Sequence, residues 1–168
     1  VPGSLGHLTG RFFDVLFSRP LTGREISAVA RWLRPDEADL FFAQADADQR
    51  HGYHAALVVV AAGGEDATVV RAALLHDVGK RHSRLGVIGR SLASVLIGLR
   101  VPLTSRMRAY RDHGEIGASE LAAVGCEDLV VDFAREHHGA RPPSIDRETW
   151  ELLQRADQPP KTGSMVGG

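Results

Sequence analysis

Along almost the whole chain, apolar residues recur at intervals of three and four, and the period-two alternation of a half-buried strand is nearly absent. That pattern restricts the chain to an all-α fold, a helical bundle. Helices are predicted at 21–33, 35–44, 46–64, 65–77, 86–99, 112–124, 127–138 and 146–157. Thr22, with Glu25 three residues on, has capping-box spacing, while Pro35 stops the first helix and opens a second that is rich in acids. Gly63 and Gly64 close the third, and Asp112, Glu127 and Asp146 mark later starts. The 168 residues suffice for one domain. Its expected parts are N-terminal helices (1–45) packing on a core section (46–158), then a flexible tail (159–168).

Charge and cysteine usage narrow the function classes. A formal net charge of -1 argues against a surface built for a nucleic acid polymer. The single cysteine, Cys126, has no internal partner, which fits a reducing cytoplasm. No basic region followed by an apolar core opens the sequence, so no secretory signal is expected. The apolar stretch 85–99 contains Arg90 and falls short of the ~20 residues of a membrane span. It is read as buried packing, in preference to a lid or a membrane-touching helix, and no membrane partner is expected. Phe12, Phe13, Phe17, Trp32, Phe41 and Phe42 read as core or subunit packing, which leaves room for a homodimer. His7 and His82 are expected to face solvent.

The chemistry is carried by histidines and aspartates. His51, His54, His76, His113, His137 and His138 sit on or at the ends of the predicted helices, with Asp77 beside His76 and Asp157 in the last helix. A single histidine on a helix says little. An ordered set on successive helices can converge inside a bundle, where two cations about 3.5 to 4 Å apart would need imidazoles around them and a carboxylate to bridge them. Asp77 is the candidate bridge.

In order, "DQRHGYHAALVV", "AALLHDVGK", "DHGEIGA", "FAREHHG" and "LLQRADQ" make the sequence resemble the HD-domain metal-dependent phosphohydrolases over residues 48 to 158. The resemblance implies metal ligands His51, His76, Asp77, His113, His137 and Asp157, with His54 and His138 as the competing choices at their positions. The two histidines between the doublet and the last aspartate match the dinuclear members: His51, His76, Asp77 and Asp157 for one metal, Asp77, His113 and His137 for the other. A nitrogen and oxygen set without thiolate suits iron, manganese, nickel or zinc.

Between Lys80 and Arg111 stand eight basic residues and no acid, whereas the rest of the chain carries 12 basic and 21 acidic residues. That asymmetry fits a small anionic substrate, with Lys80, Arg81, Arg84, Arg106 and Arg111 as phosphate-binding candidates and Asp77 and Lys80 as the catalytic pair. "GKRHS" is no P-loop, since the upstream glycine is missing and Arg81 follows the lysine. The expected activity is hydrolysis of a phosphate ester or anhydride of a nucleotide. "AALLHDVGK" looks most like the symmetrical diadenosine tetraphosphate hydrolases, and "EHHGARPPS" lacks the Gly-Tyr-Pro signature of cyclic dinucleotide phosphodiesterases. A diiron oxygenase and a non-catalytic nucleotide-binding module are the alternatives from other classes.

Overall fold

The computed structural model describes residues 19–64 and 66–158. His7, Phe12, Phe13 and Phe17, the start of the 1–45 section and the tail 159–168 lie outside them. The described residues form α-helices α1 (Gly23–Trp32), α2 (Pro35–Phe42), α3 (Asp46–Ala61), α4 (Ala67–Leu75), α5 (Val87–Gly98), α6 (Ser105–Arg111), α7 (His113–Ala123), α8 (Asp128–Glu136) and α9 (Arg147–Asp157), plus a 3-10 helix (Val78–Ser83). No strand occurs among them.

Local chemistry sets the boundaries. Thr22 and Glu25 exchange the reciprocal bonds of a capping box at the start of α1. Pro35 occupies the first turn of α2, and the side chains of Asp66, Thr104 and Asp146 cap α4, α6 and α9. The chain turns after α3 through Gly63, at φ 83°.

α4 is the axis of the bundle. Val69, Val70, Ala72, Ala73, Leu74 and Leu75 are all buried, so the helix is apolar nearly all round and must be surrounded. α3, α8, α9, α2 and α1 pack against it, and Phe41, Phe133, Leu121 and Leu153 fill the spaces between. Gly52 permits the close approach of α3: a Cβ there would lie 2.7 Å from the Leu74 carbonyl oxygen. α3 runs unbroken through Gly52, so the glycine serves packing and causes no irregularity.

Three features differ from the sequence reading. The helix expected to run to residue 77 ends at Leu75, and a 3-10 helix follows, closed by Arg84 in the left-handed region at φ 47°. Helix α6 was not anticipated, because its seven residues hold three arginines and no apolar repeat. The segment 86–99 forms a helix as expected but is not buried packing: Ala93 is fully buried, whereas Ile88, Leu92, Val95 and Leu99 are exposed. The central space is already filled around α4, and α5 rests at the periphery mainly on α6. Trp32, Phe41 and Phe42 do pack in or against the core. Among the described residues no helix is long and apolar enough to cross a membrane.

Candidate metal centre

Because α4 is enclosed, the chain leaves it inside the molecule, and His76 and Asp77 are buried where they emerge. Three helices end at this point: His76 is the C-cap of α4, His137 the C-cap of α8, and Asp157 the last residue of α9. Helix C-termini carry the negative end of the macrodipole, so their convergence favours a cation. His113 opens α7 directly after α6, and His51 reaches in from α3.

The rings of three histidines are held in the same manner. Nδ1 of His76, His113 and His137 lies 2.9, 2.7 and 2.8 Å from the carbonyl oxygen three residues earlier, in Ala73, Tyr110 and Ala134. Those carbonyls belong to last helical turns, where they have no backbone partner. In the neutral ring, donation by Nδ1–H leaves Nε2 with its lone pair facing inward, the orientation that metal-ligating histidines share. Tyr110, whose ring also stacks on His113 at 5.8 Å, was not singled out from the sequence; a tyrosine three residues before a candidate histidine is its only trace.

The Nε2 atoms surround one carboxylate. Asp77 Oδ2 lies 3.4 Å from His76 Nε2 and 3.9 Å from His51 Nε2, while Oδ1 lies 3.4 Å from His113 Nε2 and 3.5 Å from His137 Nε2. Asp157 Oδ1 is 2.9 Å from His51 Nε2 and 3.0 Å from His76 Nε2. His51, His76 and Asp77 form one group of closely spaced donor atoms, and His113, His137 and His138 a second. His51 thus stands in the cluster and exposed His54 does not, while both members of the His137–His138 pair do.

Electrostatics here are those of a site that attracts positive charge. Burial opposes protonation of His76, but the Asp77 and Asp157 carboxylates outweigh it and raise its pKa to about 10. Burial likewise opposes ionisation of Asp77 and Asp157, yet Lys80 and His76 hold Asp77, and His76 and His51 hold Asp157, well below the usual carboxylate range. Away from these carboxylates, burial and the neighbouring His137 and His113 lower His138 to about 4. Lys80 Nζ sits 2.5 Å from Asp77 Oδ2; burial disfavours its charge, but Asp77 and Asp48 raise its pKa, so it stays an ammonium.

The donor set fits a metal. Asp77 Oδ1 is buried with no hydrogen-bond partner, which a native interior rarely tolerates without an ion or water to satisfy it. Histidine and carboxylate are the donors, and the thiol of Cys126 is bonded elsewhere, to Glu37.

Of the phosphate-binding candidates, Lys80 contacts the cluster. Arg81 is engaged by Glu120, and Arg111 by Asp112. Arg84 and Arg106 are exposed and make no side-chain bond among the described residues. Arg90, one of the eight basic residues, binds Asp48 of α3 in a two-pronged pair. His82 faces solvent as expected and joins Arg81 on Glu120. An open recess bordered by Ala43, Arg81, His82 and Arg84 includes no residue of the histidine cluster.

A family model described as HD domain matches residues 50–162, about two thirds of the chain. Neither the curated proteins nor the solved structures give a match.

Proposed function

Since the chain belongs to the HD domain family, in general one of metal-dependent phosphohydrolases, we propose that it hydrolyses a phosphate ester or anhydride of a small nucleotide-like substrate at a pair of metals sharing Asp77. The observation that supports two ions is the division of that carboxylate, one oxygen toward His51 and His76 and the other toward His113 and His137. His51, His76, Asp77 and Asp157 would hold the first, and Asp77, His113 and His137 the second, with His138 alongside. Bound there, such ions lower the pKa of a water and neutralise charge on phosphoryl oxygens.

The chain's own contribution is orientation of the ligand nitrogens and a fixed cation. The Nδ1 bonds to backbone carbonyls hold three imidazoles with Nε2 inward, and His76, whose pKa the carboxylates raise, gives up its Nε2 proton when a metal binds. Lys80 supplies a permanently charged ammonium at the edge of the cluster, placed to meet an oxygen of an anionic substrate. The nucleotide preference rests on the likeness of "AALLHDVGK" to the diadenosine tetraphosphate hydrolases.

Elemental analysis of the purified protein, with phosphate release measured on nucleotide substrates under anaerobic conditions, tests this reading. Near two equivalents of metal per chain and oxygen-independent phosphate release are expected. Iron with oxygen consumption and no phosphate release would replace hydrolysis by oxygenase chemistry. No bound metal, and none taken up from manganese or iron, would leave a binding module. Lys80→Ala is expected to raise KM by about tenfold or more, the worth of one charge-assisted hydrogen bond, with metal content unchanged. Metal loss in that variant would make Lys80 structural instead.

A further inference from the structure

Helix α5 carries an apolar stripe that the described residues leave uncovered. Ile88, Leu92 and Val95, with the C-cap Leu99, are 72%, 50%, 53% and 66% exposed. Spacings of four, three and four place them within a band about 60° wide. Isolated exposed leucines are common on proteins, whereas a contiguous row along one helix is not.

Cations frame the stripe. Among the described residues, the non-glycine positions with positive φ are Arg84 (47°) and Arg100 (56°), and they stand at the two ends of α5. Glycine would adopt that backbone at less cost, so the positions gain nothing locally from arginine. Both guanidinium groups are exposed, as is Arg106 on α6, and none of the three makes a side-chain bond among the described residues. No Asp or Glu occurs from 80 to 111. Two acids that meet this segment, Asp48 and Asp112, are bound to Arg90 and Arg111.

We propose that the α5 face docks on an anionic lipid bilayer, with α5 lying in the plane of the interface. Ile88, Leu92, Val95 and Leu99 enter the acyl boundary, and Arg84, Arg100 and Arg106 meet the lipid phosphates. At 12 residues α5 is far too short to span. Charge decides against a second copy as the occupant: a symmetric interface on this face would bring arginines toward arginines, with no acid in the segment to receive them. The expectation of no membrane partner rested on the length of this stretch, which excludes a span, and on its apolar face being buried, whereas Ile88, Leu92, Val95 and Leu99 are exposed. Because α6 packs on both α5 and the 3-10 helix, a bound surface lies beside the segment that carries Lys80.

Sedimentation of the full chain with phosphatidylcholine vesicles, with and without phosphatidylglycerol, reads the proposal independently of hydrolysis. Binding is expected only with phosphatidylglycerol, and it should weaken as salt rises. A Leu92→Ser/Val95→Ser double variant should lose it, and Arg100→Gln should weaken it by about fivefold; all three positions are exposed, so circular dichroism and metal content should not change. Absence of binding to the anionic vesicles overturns the proposal. So does binding that survives in both variants, or a dimer in light scattering that the double variant dissolves.

Discussion

Asp77→Ala is expected to empty the metal centre and lower kcat/KM by about a thousandfold or more, on the order of 4 kcal/mol of transition-state stabilisation, while the far-ultraviolet circular dichroism keeps its helical form. Among the described residues Asp77 is the one side chain that faces His51, His76, His113, His137 and Lys80 together, so its loss removes an oxygen from both groups of candidate ligands. The fold should survive for two reasons. The hydrophobic contacts around α4 do not involve the carboxylate, and truncation also removes Oδ1, a buried atom with no hydrogen-bond partner. Against that, Lys80 loses its ion-pair partner, which destabilises a buried ammonium. Asp77→Asn keeps the volume and an acceptor for Lys80, and it separates metal loss from any unfolding of the alanine variant. Folded variants without metal or activity agree with the assignment; metal and full turnover in Asp77→Ala would show that the centre lies elsewhere.

What the sequence made legible was the chemistry near the chain's apolar axis. The run from Ala72 to Leu75 had to be interior, and a His-Asp pair at its end had to be interior too, which is where both stand. The order of the other candidate ligands was legible because each lies at a helix terminus or on a helix with a clear apolar repeat. Two kinds of information were missing from it. Periodicity marks a segment as apolar without saying whether the core has room for it, so the row Ile88, Leu92, Val95 and Leu99 was read as buried although α4 and its neighbours already fill the interior. Side-chain pairing across 42 or 39 residues is equally invisible, so Arg90 and Arg81 counted toward a substrate-facing surplus when Asp48 and Glu120 engage them. The choice between His51 and His54 needed the direction of α3 relative to α9, which brings Asp157 to His51.

Gly79→Ala is expected to be the most damaging of the small substitutions. Gly79 lies in the 3-10 helix two residues beyond Asp77, against the first turns of α7, and a Cβ there would fall 2.0 Å from the His113 carbonyl oxygen and 2.7 Å from the Gly117 nitrogen. Both are backbone atoms, so no side chain can turn aside; the 3-10 helix and α7 must separate by roughly 1 Å or more. Overpacking against backbone costs about 3 kcal/mol, which in a chain of this size lowers Tm on the order of 10 °C. The same displacement moves His113 away from Asp77, where 3.4 Å now separates Nε2 from Oδ1. Metal content should therefore fall even at temperatures where the variant is folded. Gly98→Ala is the control, because a Cβ at Gly98 meets nothing within 4 Å, and alanine near a helix end is expected to leave Tm unchanged or slightly raised. A thermal melt that shows Gly79→Ala within about 2 °C of the parent, with its metal retained, would mean that the contact between the 3-10 helix and α7 does not set the spacing of Asp77 and His113.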